Sequence, residues 1–254
     1  MKNRFLFLLI GITILFITTG CRPEKHYVTS MVNAYYAPID LKLNSTENNL
    51  IVMSFGQGKV VSFATADKYT EAKKEYDELC EKHYDTSYDR KIVSTAGLIY
   101  HFAYPSVDFV SLNITSDSDF NSIPAGSSLG DIIRFHSLSV NKYILSGYSE
   151  GYNWNESDYD YVILETYLNK NSYVRINKEF KKRNNSPFHP VIKMVSDLEP
   201  EEMILLGDGY IFYATFAILE FTEIPVLNKN HNITITLTSD EGVEYTSTIN
   251  LIFN

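Results

Sequence analysis

What the chain lacks already excludes most classes. It has only two cysteines, Cys21 and Cys80, in 254 residues, so no framework of several disulfides holds it together. Glycine and proline are sparse, at 12 and 8 residues, and aromatics reach 14%, which removes collagen-like and disordered compositions. Cations are scarce: 22 Lys and Arg stand against 31 Asp and Glu, a net charge of -9. That balance argues against a nucleic-acid partner, because phosphate binding needs clustered Lys and Arg that release counterions. The six histidines (His26, His83, His101, His136, His189 and His231) form no HExxH, no HxH and no close His/Cys pair, so no zinc site and no cofactor is expected. No apolar run reaches the ~20 residues of a spanning helix. What is present is a globular composition, 44% hydrophobic and 21% charged, long enough to bury a core.

The amino terminus carries the strongest signal. Lys2 and Arg4 precede an almost unbroken apolar stretch from Phe5 to Ile17, and Thr18-Thr19-Gly20 lead into Cys21. A cationic start, an apolar segment and small residues read as a secretory signal. Gly20-Cys21 resembles the lipobox of bacterial lipoproteins, with Thr18 where that pattern usually carries Leu. The resemblance implies cleavage after residue 20 and lipidation of Cys21, giving an anchored chain whose membrane partner is reached through acyl groups. Removing Lys2 and Arg4 with the signal brings the net charge to about -11. With Cys21 consumed, Cys80 is left as a lone thiol in a helical pattern. Residues 21–30 then form a tether, and 31–254 a globular domain with a possible subdivision near 105.

Strand patterns dominate the rest. Leu50–Phe55 and Lys59–Ala64 flank Gly56-Gln57-Gly58 and read as a hairpin. Short strands are also predicted at Tyr27–Tyr36, Lys91–Thr95, Leu98–Ala103, Phe109–Thr115, Lys142–Ser146, Tyr159–Tyr167 and Val191–Ser196. Tyr210–Phe221 is apolar on both parities and reads as a strand buried on both faces. Ile233, Ile235 and Leu237 alternate with threonines before Asp240-Glu241-Gly242, and Tyr245, Ile249, Leu251 and Phe253 share one parity, which predicts a terminal antiparallel hairpin. Asp67–Tyr84 alone has helical spacing, at Tyr69, Ala72, Tyr76, Leu79, Cys80 and His83. The expected fold is mainly β: an antiparallel β-sandwich, immunoglobulin-like or related, with one surface helix around 67–84.

Few patterns carry chemistry. Gly147-Tyr148-Ser149-Glu150-Gly151 matches the G-x-S-x-G nucleophile elbow, after a strand-like Tyr143–Ser146 but with no helix following, so a glycine-flanked turn is the simpler reading. Asp117-Ser118-Asp119-Phe120-Asn121 opens like a calcium loop, yet Ser122 and Ser128 replace the Gly and Glu that would complete it, which leaves an Asx-rich loop. Tyr148–Tyr161 gathers the only tryptophan and several tyrosines with carboxylates and amides: Tyr148, Tyr152, Trp154, Tyr159 and Tyr161 are the candidate ligand-binding residues for a glycan or an envelope protein. Arg175–Arg183 is the one basic cluster.

Ser116–Ile133 (SDSDFNSIPAGSSLGDII) resembles a segment of uncharacterised lipoproteins of Bacteroidetes-type bacteria, through Ser116, Asp117, Asp119, Phe120, Pro124, Ala125, Gly126, Ser128, Leu129 and Asp131. The resemblance implies an envelope address, in the outer membrane with its face open, and a β-rich fold. It assigns no catalytic residue. The expected function is a lipid-anchored, non-enzymatic binding or structural module. The alternatives are an envelope hydrolase using Ser149 or a carboxylate pair, and an assembly subunit exchanging β-strands.

Overall fold

The computed structural model describes residues 24–46, 50–63, 70–94, 103–153, 185–207 and 215–254. Its strands are β1 (Glu24–Val28), β2 (Ala34–Ser45), β3 (Leu50–Ser62), β4 (Arg90–Ser94), β5 (Ala103–Pro105), β6 (Phe109–Ser116), β7 (Ile133–Ser139), β8 (His189–Met194), β9 (Thr215–Phe221), β10 (Asn230–Ser239) and β11 (Glu244–Ile252). Helix α1 spans Thr70–Lys82 and a short α2 spans Asn141–Leu145. Six strands form a central sheet in the order β5-β2-β3-β9-β7-β8, and β11-β10-β6 form a second sheet against it. All pairings are antiparallel except β2 with β5 at the edge. A separate ribbon pairs β1 with β4.

The layers follow from side-chain alternation. Along β2 and β3, Tyr36, Leu41, Ile51, Met53 and Phe55 belong to the core beneath the second sheet, where Ile114, Ile233, Ile235, Leu237 and Leu251 meet them. The other parity, with Tyr35, Leu50, Val61 and Ile218, meets Tyr76 and Cys80 of α1 and Ile144 of α2. β9 is therefore buried on both faces, as its uniform hydrophobicity predicts. The sandwich interior is aromatic: Phe216 lies 5.2 Å from Phe55 and 5.0 Å from Phe109, both edge-on, while Phe55 and Phe109 stack at 5.2 Å.

The mainly-β sandwich, the helix at 70–82 and the terminal hairpin all match the sequence reading; three local expectations change. The Gly56-Gln57-Gly58 run is no turn, because β3 passes straight through it while β2 pairs alongside. The glycines instead serve a bulge. β2 shifts register on both sides of Pro38, which has no N–H for the ladder, and a Cβ on Gly56 would strike the Asp40 carboxylate. Lys142–Ser146 is not a strand, since Asn141–Leu145 closes one helical turn that buries only Ile144. Over five residues, alternation cannot separate strand from helix. Finally, Tyr27–Tyr36 is broken at residues 29–33 into β1 and β2, so β1 occupies residues read as tether. Residues 95–102, 154–184 and 208–214 lie outside the described set, with the strand expected at Tyr159–Tyr167 and most of that at Leu98–Ala103.

Phe216→Ala should lower unfolding free energy by about 3–5 kcal/mol, since it empties a site ringed by Phe55, Phe109 and Phe135. Urea denaturation followed by circular dichroism measures this. A loss below about 1 kcal/mol would mean that the two sheets do not pack as described.

Candidate functional site

Tyr148 and Tyr152 are the candidate binding residues within the described structure; Trp154, Tyr159 and Tyr161 lie outside it, as does Cys21. Neither Tyr148 nor Tyr152 stands on an open shelf. After α2, the chain reverses through Gly147 and Tyr148, both left-handed with φ of 64° and 60°, and their N–H groups bond Ile144 and Tyr143 carbonyls at 2.9 Å each. A bulky residue at positive φ needs compensation. Tyr148 finds it by donating its hydroxyl to Asp85 at 2.9 Å and packing its ring on Tyr88 (4.9 Å) and Tyr143 (6.0 Å).

Asp85 organises this end of the molecule. Fully buried just past the end of α1, it accepts N–H bonds from Met31 and Val32 at 2.7 Å each, as well as the Tyr148 hydroxyl. One carboxylate thus joins three segments: the approach to β2, the end of α1 and the turn after α2. Burial pushes its carboxyl above the ordinary value, against the pull of its three donors. The Tyr148 phenol is pushed up to about 12, by burial first and Asp85 second, so it remains a donor. Nearby, Tyr76 donates to the Val32 carbonyl at 2.7 Å and contacts the Ser30 hydroxyl at 2.5 Å. Cys80 is buried and its thiol is pushed up to about 11 by burial and then by Asp85, which keeps it protonated and inert at neutral pH.

Tyr152 sits at a pinned neck. Its N–H bonds the Ser186 carbonyl at 2.7 Å and Ser186 N–H returns at 2.9 Å, while Asn185 N–H reaches Asn153 Oδ1 at 2.9 Å. The His189 ring packs edge-on to Tyr152 at 5.9 Å, and its Nε2–H donates to the Glu150 carbonyl at 2.9 Å. Asn153 and Asn185, the described residues on either side of 154–184, are therefore held next to each other.

The remaining motifs are occupied by structural work. Ser149 donates its hydroxyl to the Ser146 carbonyl at 2.7 Å, and the helix of this region precedes the motif instead of following it, the reverse of an elbow. In the Asx-rich loop, Asp117 accepts from the Asn232 backbone (2.9 Å) and side chain (2.6 Å), and Asp119 accepts from Ala125 N–H (2.8 Å). Asn121, at φ 55°, donates to the Ile224 carbonyl and accepts from Val226 N–H. Phe120 is completely buried between Phe221 and Phe253. The polar side chains of this loop thus serve its own fold, and Phe120 ties it to the core. Among the described residues no group of His, Cys, Asp and Glu is arranged to hold a metal ion, and no helix is long and apolar enough to cross a membrane.

Two charged clusters escaped sequence reasoning. His136, fully buried, has Nε2 at 2.9 Å from Glu220, with Arg134 at 3.9 Å; β7 and β9 set these residues side by side. His83 stacks on Tyr35 at 5.6 Å, with Asp108 3.8 Å from its Nδ1, and Lys82 bridges Asp108 (3.1 Å) and Asp240 (2.9 Å). No spacing in the chain could reveal either, since the partners lie far apart in sequence. Comparison with family models, with characterised proteins and with solved structures finds no match.

Two outcomes follow from this geometry. Asp85→Ala should cost on the order of 2–5 kcal/mol, because it strands two buried backbone donors, whereas Tyr148→Phe should cost about 1–2 kcal/mol; denaturant unfolding ranks them, and the reverse order would dismiss Asp85 as the junction. Burial holds the His83 imidazole below its ordinary value, despite the pull of Asp108 and Asp240. A depressed histidine binds its proton more readily unfolded than folded, so stability should fall as pH drops below about 6.5 toward the folded value. His83→Gln should flatten that dependence between pH 7.5 and 5.5, and an unchanged slope would assign it to other groups.

Proposed function

We propose that this chain is a lipid-anchored lipoprotein of the cell envelope, working as a non-enzymatic binding or structural module. The observation that carries the reading is the Phe5–Ile17 apolar stretch running into Gly20-Cys21. β1 begins at Glu24, which supports it from the other side. Three residues span only ~10 Å, so a lipid on Cys21 would hold the β1–β4 ribbon near its bilayer. The likeness of Ser116–Ile133 to envelope lipoproteins points the same way, with an outer-membrane address.

The binding reading rests on the composition of Tyr148–Tyr161, where Trp154, Tyr159 and Tyr161 stand among carboxylates and amides, and the Tyr152–Ser186 pair fixes the two points of the fold that flank it. Tyr148 contributes by fixing the turn that leads there, its hydroxyl being engaged by Asp85. The hydrolase alternative is weaker at Ser149, whose hydroxyl is bonded within its own turn.

Cys21→Ser should abolish incorporation of labelled palmitate and move the protein from the membrane to the soluble or precursor fraction. Unchanged labelling and fractionation would refute the anchor. For the ligand, the chain is titrated with a panel of polysaccharides and envelope glycans while Trp154 fluorescence is followed. A saturable change with one glycan class, lost in Tyr159→Ala with unfolding unaltered, is expected; a flat response across the panel would leave a structural role.

A further inference from the structure

Tyrosines gather where the amino-terminal arm enters the fold. β1 ends at Val28, and the carbonyl of the next residue, Thr29, accepts the Tyr88 N–H at 2.8 Å. Met31 and Val32 then donate to Asp85, which also takes the Tyr148 hydroxyl, so the turns after α1 and after α2 both meet the arm there. Tyr88 packs on Tyr148 and Tyr148 on Tyr143, and all three side chains keep part of their surface in solvent. Two neighbours in the chain have far less cover. Tyr84, next to Asp85, is 73% exposed, and Leu145, two residues beyond Tyr143, is 59% exposed.

Local rules do not favour Tyr84 where it stands. α1 closes with Tyr84 N–H on the Glu81 carbonyl (3.1 Å) and Asp85 N–H on the Cys80 carbonyl (2.8 Å), a paired ending whose first donor is left-handed, here Tyr84 at φ 58°. Glycine usually fills that place, because a Cβ is disfavoured there. α2 closes in the same way and does have glycine, Gly147. Tyr148 offsets its own positive φ with Asp85 and two ring contacts, whereas Tyr84 is strained and turned to solvent. Strain with so little return inside the fold points to a contact outside it.

The length of the arm names the occupant. Cys21 stands eight residues before Thr29, which even fully extended span no more than about 29 Å, so a lipid on Cys21 keeps this corner beside its bilayer. Another exposed apolar run, Ile224, Val226 and Leu227, follows β9 at the sheet end where Ser45 and Leu50 stand, about 35 Å along β2 from the entry at Ala34. We propose that Tyr84, Tyr88, Tyr143 and Leu145 form a collar that docks into the headgroup interface of the bilayer holding the Cys21 lipid. The inference rests on the anchor proposed above: the lipid supplies the affinity and the collar fixes the orientation. Tyrosine, with an apolar ring and a polar tip, belongs at that boundary, and Leu145 reaches the acyl side of it. The exposed charges of these helix ends and turns are Glu81, Asp89 and Glu150 against Lys142, with Lys82 taken up by Asp108 and Asp240. That balance fits zwitterionic headgroups and disfavours an anionic patch.

The test places a polarity-sensitive fluorophore on Leu145→Cys in the full chain, purified from membranes of cells fed labelled palmitate and reconstituted in phosphatidylethanolamine–phosphatidylcholine vesicles. Cys80 is buried and a lipidated Cys21 has no free thiol, so the label goes to the new cysteine. Its emission should move to shorter wavelength and fall by about half or more with lipids brominated high on the acyl chain, at the ~5–10 Å depth of interfacial side chains. Leu227→Cys, 94% exposed at the other end, should emit as in water and escape quenching. In the Leu145→Cys background, Tyr84→Gly should relieve the turn, so that unfolding free energy holds or rises, and yet weaken the quenching about twofold. A palmitate-labelled chain whose Leu145 probe reads water, equal quenching at Leu227→Cys, or quenching indifferent to Tyr84→Gly would overturn the collar and leave the anchor standing. A chain without palmitate would remove both.

Discussion

The central sheet must be covered on both faces, and the rest of the architecture answers that demand. β9 runs through its middle with Phe216 and Leu219 toward one layer and Ile218 toward the other. A strand apolar on both parities leaves no solvated side, so each face requires its own partner. The second sheet supplies one and the helices the other. This division explains the aromatic content: Phe55, Phe109, Phe216 and Tyr245 interlock between sheets, while Tyr35, Tyr76 and Tyr104 fill the helical side.

Covering the helical face creates a polar problem, and Asp85 resolves it. Between β1 and β2 the chain makes an irregular approach in which Met31 and Val32 N–H groups lose water and have no ladder partner. Leaving them unmet would cost about 1–3 kcal/mol each. A carboxylate at the end of α1 meets both, and its remaining capacity takes the Tyr148 hydroxyl, holding a tyrosine that local sterics disfavour at φ 60°. The turn after α2 is thereby referenced to the same point as the start of β2. A carboxyl shifted upward by burial is the physical cost of that junction.

Legibility in the sequence followed the range of the interactions. The hairpin at 230–252 and helix α1 were readable because their periodicities are local and long. The Gly56–Gly58 bulge was misread as a turn because glycine signals close backbone approach as well as reversal, and only the shift at Pro38 on the neighbouring strand decides between them. α2 was misread because one helical turn and one short strand share a pattern. At the candidate site, Tyr148 could be singled out by composition, but not Asp85, whose partners Met31, Val32 and Tyr148 lie 54, 53 and 63 residues away. The Asx-rich loop shows the same limit: Asp117, Asp119 and Asn121 have calcium-like spacing, yet their oxygens meet backbone and amide donors of Asn232, Ala125 and Val226.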